Sequence, residues 1–263
     1  YVQARSDFER VEWVEQKELL GLGHAIAQTK SVVGADPMLM VYGDTVFRAD
    51  LARELSAKGD GLLGVKKVED PRRFGVVVTE GKKVVKLVEK PEKFVSDQAI
   101  VGVNLIRKSA QLFACLDDLI KRDVRLRGEF QLTDALQLMV EQGANLSTFP
   151  VGGWFDCGTQ EAMLETNRDF LRDAPAPTHC TNTVVVPPVH IDPTAEVRDS
   201  VVGPYVSIGA GASVQHTIVR NAIIGEQAEV KAALIEDSLI GFQAVLKGRW
   251  NHLNIGDMSE ITT

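Results

Sequence analysis

Val202-Gly203-Pro204-Tyr205-Val206-Ser207-Ile208-Gly209-Ala210-Gly211-Ala212-Ser213-Val214 places aliphatic residues six apart, at Val202, Ile208 and Val214, with small or turn-forming residues between them. The same step of six runs from Ile191 to Val197, from Ile224 to Val230 and from Ile240 to Leu246. A longer period is marked by Ile208-Gly209, Ile224-Gly225, Ile240-Gly241 and Ile255-Gly256, spaced sixteen, sixteen and fifteen residues. Periods of this kind specify a parallel β-helix of hexapeptide repeats. Each coil buries a column of Ile and Val, turns at Gly, Asn and Asp, and stabilises only its neighbours.

Upstream of the repeat, Asp173-Ala174-Pro175-Ala176-Pro177-Thr178 cannot continue a helix, because its two prolines lack the N–H and clash with the preceding turn. A domain boundary is expected there, with one domain over 1–173 and the β-helix over 174–263. The first domain alternates β-type runs with helical periodicity. Strands are expected near Val11–Glu15, Met38–Tyr42, Gly61–Val68, Phe74–Thr79, Lys83–Glu89, Ile100–Arg107 and Ala144–Val151. Helices are expected near His24–Val33, Leu51–Lys58, Ala110–Lys121, Leu132–Gln142 and Gln160–Arg172, with Asp50, Ser109 and Thr159 as N-caps. Thr79-Glu80-Gly81-Lys82 reads as a hairpin turn, so this is an α/β domain with a mixed sheet.

Composition narrows the function. With 263 residues, 44% apolar and 25% charged, the chain has the make-up of a soluble globular protein. A net charge of −7 and the lack of a basic tract argue against nucleic acid as a partner. No membrane span or signal peptide is visible. Three scattered cysteines and five histidines without ligand spacing argue against a disulfide framework or a zinc cluster, and point to a reducing cytoplasm. A small phosphorylated ligand stays open, since a few placed cations, backbone N–H groups and Mg²⁺ suffice to hold one.

Met38-Leu39-Met40-Val41-Tyr42-Gly43-Asp44-Thr45 is a buried strand ending in a Gly-Asp pair, which sets a carboxylate where open α/β sheets bind ligands. Asp156, in Trp154-Phe155-Asp156-Cys157-Gly158, lies 112 residues on and can share a divalent cation with Asp44 if the fold joins them. Gln16-Lys17-Glu18-Leu19-Leu20-Gly21-Leu22-Gly23-His24 leaves a strand through a glycine-spaced loop into a helix, and suits either the edge of a flat base or a plain turn. Val88-Glu89-Lys90-Pro91 ends a hairpin strand with an acid for sugar hydroxyls and a cation for phosphate, or with a solvated salt bridge. Gly75, in Phe74-Gly75-Val76-Val77, admits a sugar ring against the backbone or marks a bulge. In Gly128-Glu129-Phe130-Gln131-Leu132-Thr133-Asp134, Thr133 is read as a helix cap, with Glu129 and Asp134 favouring the helix N-terminus. The Lys121–Arg127 charge run is read as solvated, His24 as a capping or surface residue, and Cys157 as a small filler.

Taken in order, these motifs resemble the sugar-1-phosphate nucleotidyltransferase family, and most of all glucose-1-phosphate thymidylyltransferases of the long type, which carry a C-terminal left-handed β-helix. The resemblance implies a Rossmann-like mixed-sheet domain followed by a left-handed parallel β-helix. It implies an enzyme that joins a nucleoside triphosphate, dTTP or UTP, to a sugar 1-phosphate, giving dTDP-glucose or UDP-glucose and pyrophosphate. Gln16 and Gly21 would bind the nucleotide together with Asp44; Asp44 and Asp156 would hold Mg²⁺; Gly75 and Glu89 would contact the sugar and Lys90 its 1-phosphate. The catalytic set would be Lys90, Asp44 and Asp156, with no protein nucleophile. A homo-oligomer assembled through the β-helix is also implied. Two departures stand out. The family's glycine-rich triphosphate loop has no counterpart here, so at least a first βαβ unit is expected upstream of Tyr1, and the chain as given is expected to be weakly active or inactive without it. Asn104, in Val101-Gly102-Val103-Asn104, stands where the resemblance leads us to expect an aromatic. Two other readings compete: a non-catalytic nucleotide-sugar-binding or regulatory subunit, and an acyltransferase centred on His216.

Overall fold

A computed structural model describes residues 10–54, 56–172, 180–248 and 254–262. The chain divides into two compact units, Tyr1–Trp154 and Phe155–Thr263.

In the first unit, helices α1 (Leu22–Gln28) and α2 (Lys30–Val33) precede strands β1 (Met38–Val41) and β2 (Thr45–Arg48), followed by the short helix α3 (Leu51–Glu54). Then come β3 (Gly61–Lys67), β4 (Gly75–Glu80), β5 (Lys83–Glu89), β6 (Gln98–Ile106), α4 (Ser109–Lys121), α5 (Leu132–Glu141) and β7 (Leu146–Pro150). Six strands form one sheet in the order β1-β6-β3-β7-β5-β4. β3 and β7 run parallel, and the other neighbours antiparallel. The sheet is therefore mixed, as the hairpin signal requires, and Gly81 supplies the positive φ of that hairpin turn.

The two faces of this sheet have different cores. Against one face lie Leu112, Phe113, Leu116 and Leu119 of α4 and Leu132, Ala135, Leu136 and Met139 of α5, the spacing of a single helical stripe. The opposite face buries Leu62, Val101, Val103, Phe149 and Val151 against Phe47 and Trp154. Each fully buried leucine or phenylalanine contributes about 1.5–3 kcal/mol, so these stripes fix which way the sheet's polar edge points.

Local chemistry explains where elements differ from expectation. Among the described residues no strand forms over Val11–Glu15, and Trp13 is 69% exposed: an extended segment without a ladder partner is not a strand. The helix expected over His24–Val33 breaks at Thr29, whose hydroxyl donates back to the Ile26 carbonyl at 2.8 Å. Asp50 caps α3 by accepting from the Arg53 N–H at 3.3 Å, and Thr159 caps the helix after it by accepting from Ala162 N–H at 3.2 Å. Ser109 is no cap; it lies inside the first turn and donates to the Ile106 carbonyl.

In the second unit, residues 184–248 and 254–262 form a left-handed parallel β-helix of hexapeptide repeats. Ile191, Ile208, Ile224, Ile240 and Ile255 stack in register as one buried column, and Val197, Val214, Val230 and Leu246 as another. Val202, Val219 and Ile235 form a third. The glycines of the first three Ile-Gly pairs have a packing reason, whereas Gly256 meets nothing within 4 Å. A Cβ on Gly209, Gly225 or Gly241 would lie 2.8, 2.7 or 2.6 Å from backbone atoms of the next coil. Helix α6 (Gln160–Leu171) docks on this β-helix: Gln160 donates to the Asp237 carbonyl at 2.7 Å, and Arg168 to the Asn221 side-chain oxygen at 2.7 Å. Its polar face thus ties it to the coils, which is why the compact units part before this helix and not after it.

Candidate active site

The polar residues singled out in the first unit gather at the ends of β1, β4 and β5 and at the start of α5. Glu89 closes β5 and is 10% exposed; its Oε2 accepts from the Thr133 hydroxyl at 2.6 Å. Lys90 follows with φ of 42°, so the chain turns sharply and its ammonium comes within 3.9 Å of Glu89 Oε1. Gly75 opens β4 opposite Glu89, and a Cβ there would lie 2.5 Å from Thr133 Oγ1 and 2.7 Å from Glu89 Oε2. Thr133 therefore does not cap α5 with its side chain, as the sequence suggested; Gln131 holds the N-cap position and the Thr133 hydroxyl is spent on Glu89.

Burial pushes the Glu89 carboxyl above the usual carboxylate range, and the charges of Asp134 and Glu129 push the same way; the Thr133 hydrogen bond and Lys90 pull against them. Asp134 is also raised, by burial. Tyr42, just past the end of β1, joins this group to Asp44. Its phenol is held far above the ordinary value, first by burial, then by the negative charges of Glu89 and Asp44. The ring lies over Gly102, where a Cβ would come within 2.5 Å of Tyr42 Cδ2.

Asp44 itself is exposed, and the contact described for its carboxylate is the Thr45 hydroxyl at 3.4 Å. Gly43 beside it faces open space, with nothing within 4 Å of a Cβ position, so no neighbour among the described residues accounts for this glycine. The side chain of Asp156 lies outside the described residues. Among the described residues no three acidic, histidine or cysteine side chains gather around a common metal position. Asp44 on its own nevertheless suits Mg²⁺, which takes one or two carboxylates and completes its shell with water and substrate phosphates.

The glycine-spaced loop is built against the segment before α5. Leu20 accepts from Phe130 N–H at 2.8 Å and Gly23 N–H donates to Phe130 O at 2.9 Å. Gly21, at φ of 94°, and Gly23 leave no room for a Cβ against Glu129 and Phe130. Gln16 donates its amide to Gly21 O at 3.1 Å, and the same nitrogen lies 3.0 Å from His24 Nδ1. The fold thus joins Gln16 to Gly21, and the loop to the segment carrying Thr133. In the basic loop Arg122 pairs with Asp118 and Arg125 with Asp123, with Arg125 over the Phe130 ring, so these two arginines serve the fold.

Tyr42 and Trp154 were not assigned roles from the sequence, and Thr133 only that of a helix cap. Trp154 packs edge-on against Phe74 at 4.9 Å, and its indole N–H is buried without a partner among the described residues. Only the Gly-Asp and Gly-Trp contexts of Tyr42 and Trp154 hinted at them. In the second unit His216 is half exposed, 3.9 Å from Asp199, at a corner of the β-helix. Asn104 is fully buried in β6, and its amide donates to the Val101 carbonyl.

A family model described as nucleotidyl transferase matches residues 1–173. The chain belongs to the nucleotidyl transferase family. A model described as the GlmU-like C-terminal hexapeptide matches residues 176–248. A glucose-1-phosphate thymidylyltransferase of Streptomyces griseus is 33% identical over 222 residues, 80% of this chain and 60% of the relative. A bifunctional protein GlmU of Methanococcus vannielii is 30% identical over 172 residues, 63% of this chain and 40% of that protein. The chain thus spans 60% or less of the length of these two relatives. An apo UDP-glucose pyrophosphorylase structure superposes with a TM-score of 0.51 over 61% of this chain and 63% of that one, at 22% identity, and speaks for the fold alone. No helix among the described residues is long and apolar enough to cross a membrane.

Proposed function

We propose that the first unit transfers a nucleotidyl group from a nucleoside triphosphate, dTTP or UTP, to glucose 1-phosphate, releasing pyrophosphate. The observation that carries this reading is the pair Glu89 and Lys90, a shielded carboxylate and an ammonium 3.9 Å apart at the end of one strand. A sugar 1-phosphate presents hydroxyl donors and a dianion on one small ring, which is the complement of such a pair. Gly75 and Glu89 then contact the sugar and Lys90 the phosphate. Gln16 and Gly21, joined by a hydrogen bond, are assigned to the base through the Gln16 amide oxygen and the Gly21 N–H, and Asp44, beside the open space at Gly43, is assigned to the phosphates.

No side chain has to act as nucleophile. The sugar phosphate oxygen attacks the α-phosphorus in line, and the protein's share is to bring two anions together and stabilise the charge they build. Lys90 neutralises the incoming phosphate. Asp44 would hold Mg²⁺, which when bound offsets charge on the triphosphate. The β-helix is read as the element through which copies assemble.

The test is direct. Incubation of the complete gene product with Mg²⁺, glucose 1-phosphate and each nucleoside triphosphate in turn is expected to release pyrophosphate with dTTP or UTP. No pyrophosphate with any triphosphate would overturn the proposal. Thymine and uracil share one hydrogen-bonding edge and differ by a methyl group, so the ratio of the two rates also reads the base choice.

A further inference from the structure

We propose that Thr133 is a positioning residue for Glu89: its hydroxyl holds the carboxyl in the one orientation that faces a bound sugar, and Gly75 is glycine because that bond fills the place of its side chain. The inference rests on the sugar-phosphate reading of this site.

The three residues come from separate elements, Gly75 from the start of β4, Glu89 from the end of β5 and Thr133 from the first turn of α5. Thr133 is the second residue of α5, past the N-cap position that Gln131 holds. Here the hydroxyl donates to Glu89 Oε2 at 2.6 Å and makes no capping bond. Threonine suits the task because its branched side chain is stiff at χ1, so a buried Thr133 on a packed helix aims its oxygen along a fixed line. With Oε2 engaged, Oε1 is the oxygen turned toward Lys90, at 3.9 Å. A glutamate has three rotatable bonds, and holding them before the ligand arrives removes a cost that binding would otherwise carry.

The setting makes the bond matter. Asp134 on α5, Glu129 in the segment before it, and Tyr42 after β1 surround Glu89 with acidic groups, and Lys90 is the cation among them. Apart from Lys90, the Thr133 hydroxyl is the donor that favours the ionised carboxyl. Gly75 meets the same carboxyl from the other side, since its Cβ position falls within 2.5 and 2.7 Å of the two bonded oxygens. Gly75→Ala and Thr133→Val therefore attack one hydrogen bond from opposite directions.

The experiment follows the Glu89 carboxyl by NMR in protein carrying ¹³C at the glutamate carboxyls, with Glu89→Gln assigning the signal, and measures glucose 1-phosphate and dTTP binding by calorimetry. Thr133→Val is expected to move the Glu89 titration to higher pH and to weaken glucose 1-phosphate about tenfold at pH 8, the loss of one hydrogen bond to a charged group, with dTTP affinity unchanged. Thr133→Ser should restore both. Gly75→Ala should match Thr133→Val, and the double variant should add little to either. The idea is overturned if Thr133→Val leaves the Glu89 titration in place, or if it weakens dTTP and glucose 1-phosphate equally, the mark of a structural role. If no form binds glucose 1-phosphate, the proposed function falls, while the Glu89 titration still decides what Thr133 does.

Discussion

The two units use glycine in opposite ways. In the β-helix, Gly209, Gly225 and Gly241 each face the same thing, the backbone of the next coil, and each is required for the same reason. In the α/β unit, Gly21 faces Glu129 and Phe130, Gly75 faces the Glu89–Thr133 bond, Gly102 faces the Tyr42 ring and Gly43 faces nothing. One unit repeats a single packing solution, and the other holds several local ones, each beside a group with chemistry to offer. The contrast extends to the interiors. The β-helix buries columns of Ile, Val and Ala, whereas the α/β unit keeps Glu89, Asp134 and Tyr42 shielded close to one another, with their pKa values displaced upward.

If chemistry is confined to the α/β unit, the largest effect belongs to Lys90→Ala. Pyrophosphate release should fall about 10²–10³-fold, the scale of losing one placed charge from a transition state, with the melting temperature unchanged. A loss below tenfold would break the contrast. Next in size is Gly225→Ala. The added methyl meets backbone 2.7 Å away, so the coils must part, at a cost of about 1–3 kcal/mol in chemical denaturation. Gly43→Ala, into open space, should cost less than about 1 kcal/mol by the same measurement.

Glu89→Gln sharpens the comparison through pH. The folded-state pKa of Glu89 is raised above its unfolded value, so its contribution to stability is complete below the unfolded pKa and is lost as pH rises through the folded one. The variant has no such loss. Its melting temperature should therefore gain on the wild type as pH goes from about 4 to 8, while glucose 1-phosphate binding is lost. Parallel melting curves across that range would remove the argument from burial. The smallest effect is expected at His216→Ala, with pyrophosphate release unchanged within about twofold, because this half-exposed corner residue lies in the β-helix.

What could be read in advance follows the same division. The β-helix was legible because one pattern, apolar at every sixth residue and an Ile-Gly pair in each coil, repeats four times in the chain itself. The mixed sheet was legible from β-type runs and one hairpin turn, and the helical stripes of α4 and α5 from their spacing. Thr29 was not read as a helix break, and Val11–Glu15 lacks the ladder partner that alternation cannot guarantee. At the site, Asp44, Glu89 and Lys90 announced themselves as acids and a base at strand ends. Thr133 did not, because a threonine at a helix start has a satisfactory local explanation; only the partner 44 residues away, 2.6 Å in space, shows where the hydroxyl goes. Tyr42 was hidden in the same way, its environment being set by Glu89 and Gly102 from other strands.

The sixteen-residue pitch of the Ile-Gly ladder also sets what this chain can tolerate by way of insertions. A coil is a unit of length: adding or removing a whole one keeps every buried column in register, whereas any other number of residues inserted within a strand turns the next column toward water. Extra sequence is accommodated only where the backbone already leaves the ladder, at outward corners such as Gly211, Gln227 and Gln243, each at positive φ. Foreign loops belong at those corners, and the lineage of this β-helix is expected to vary by whole coils and corner loops.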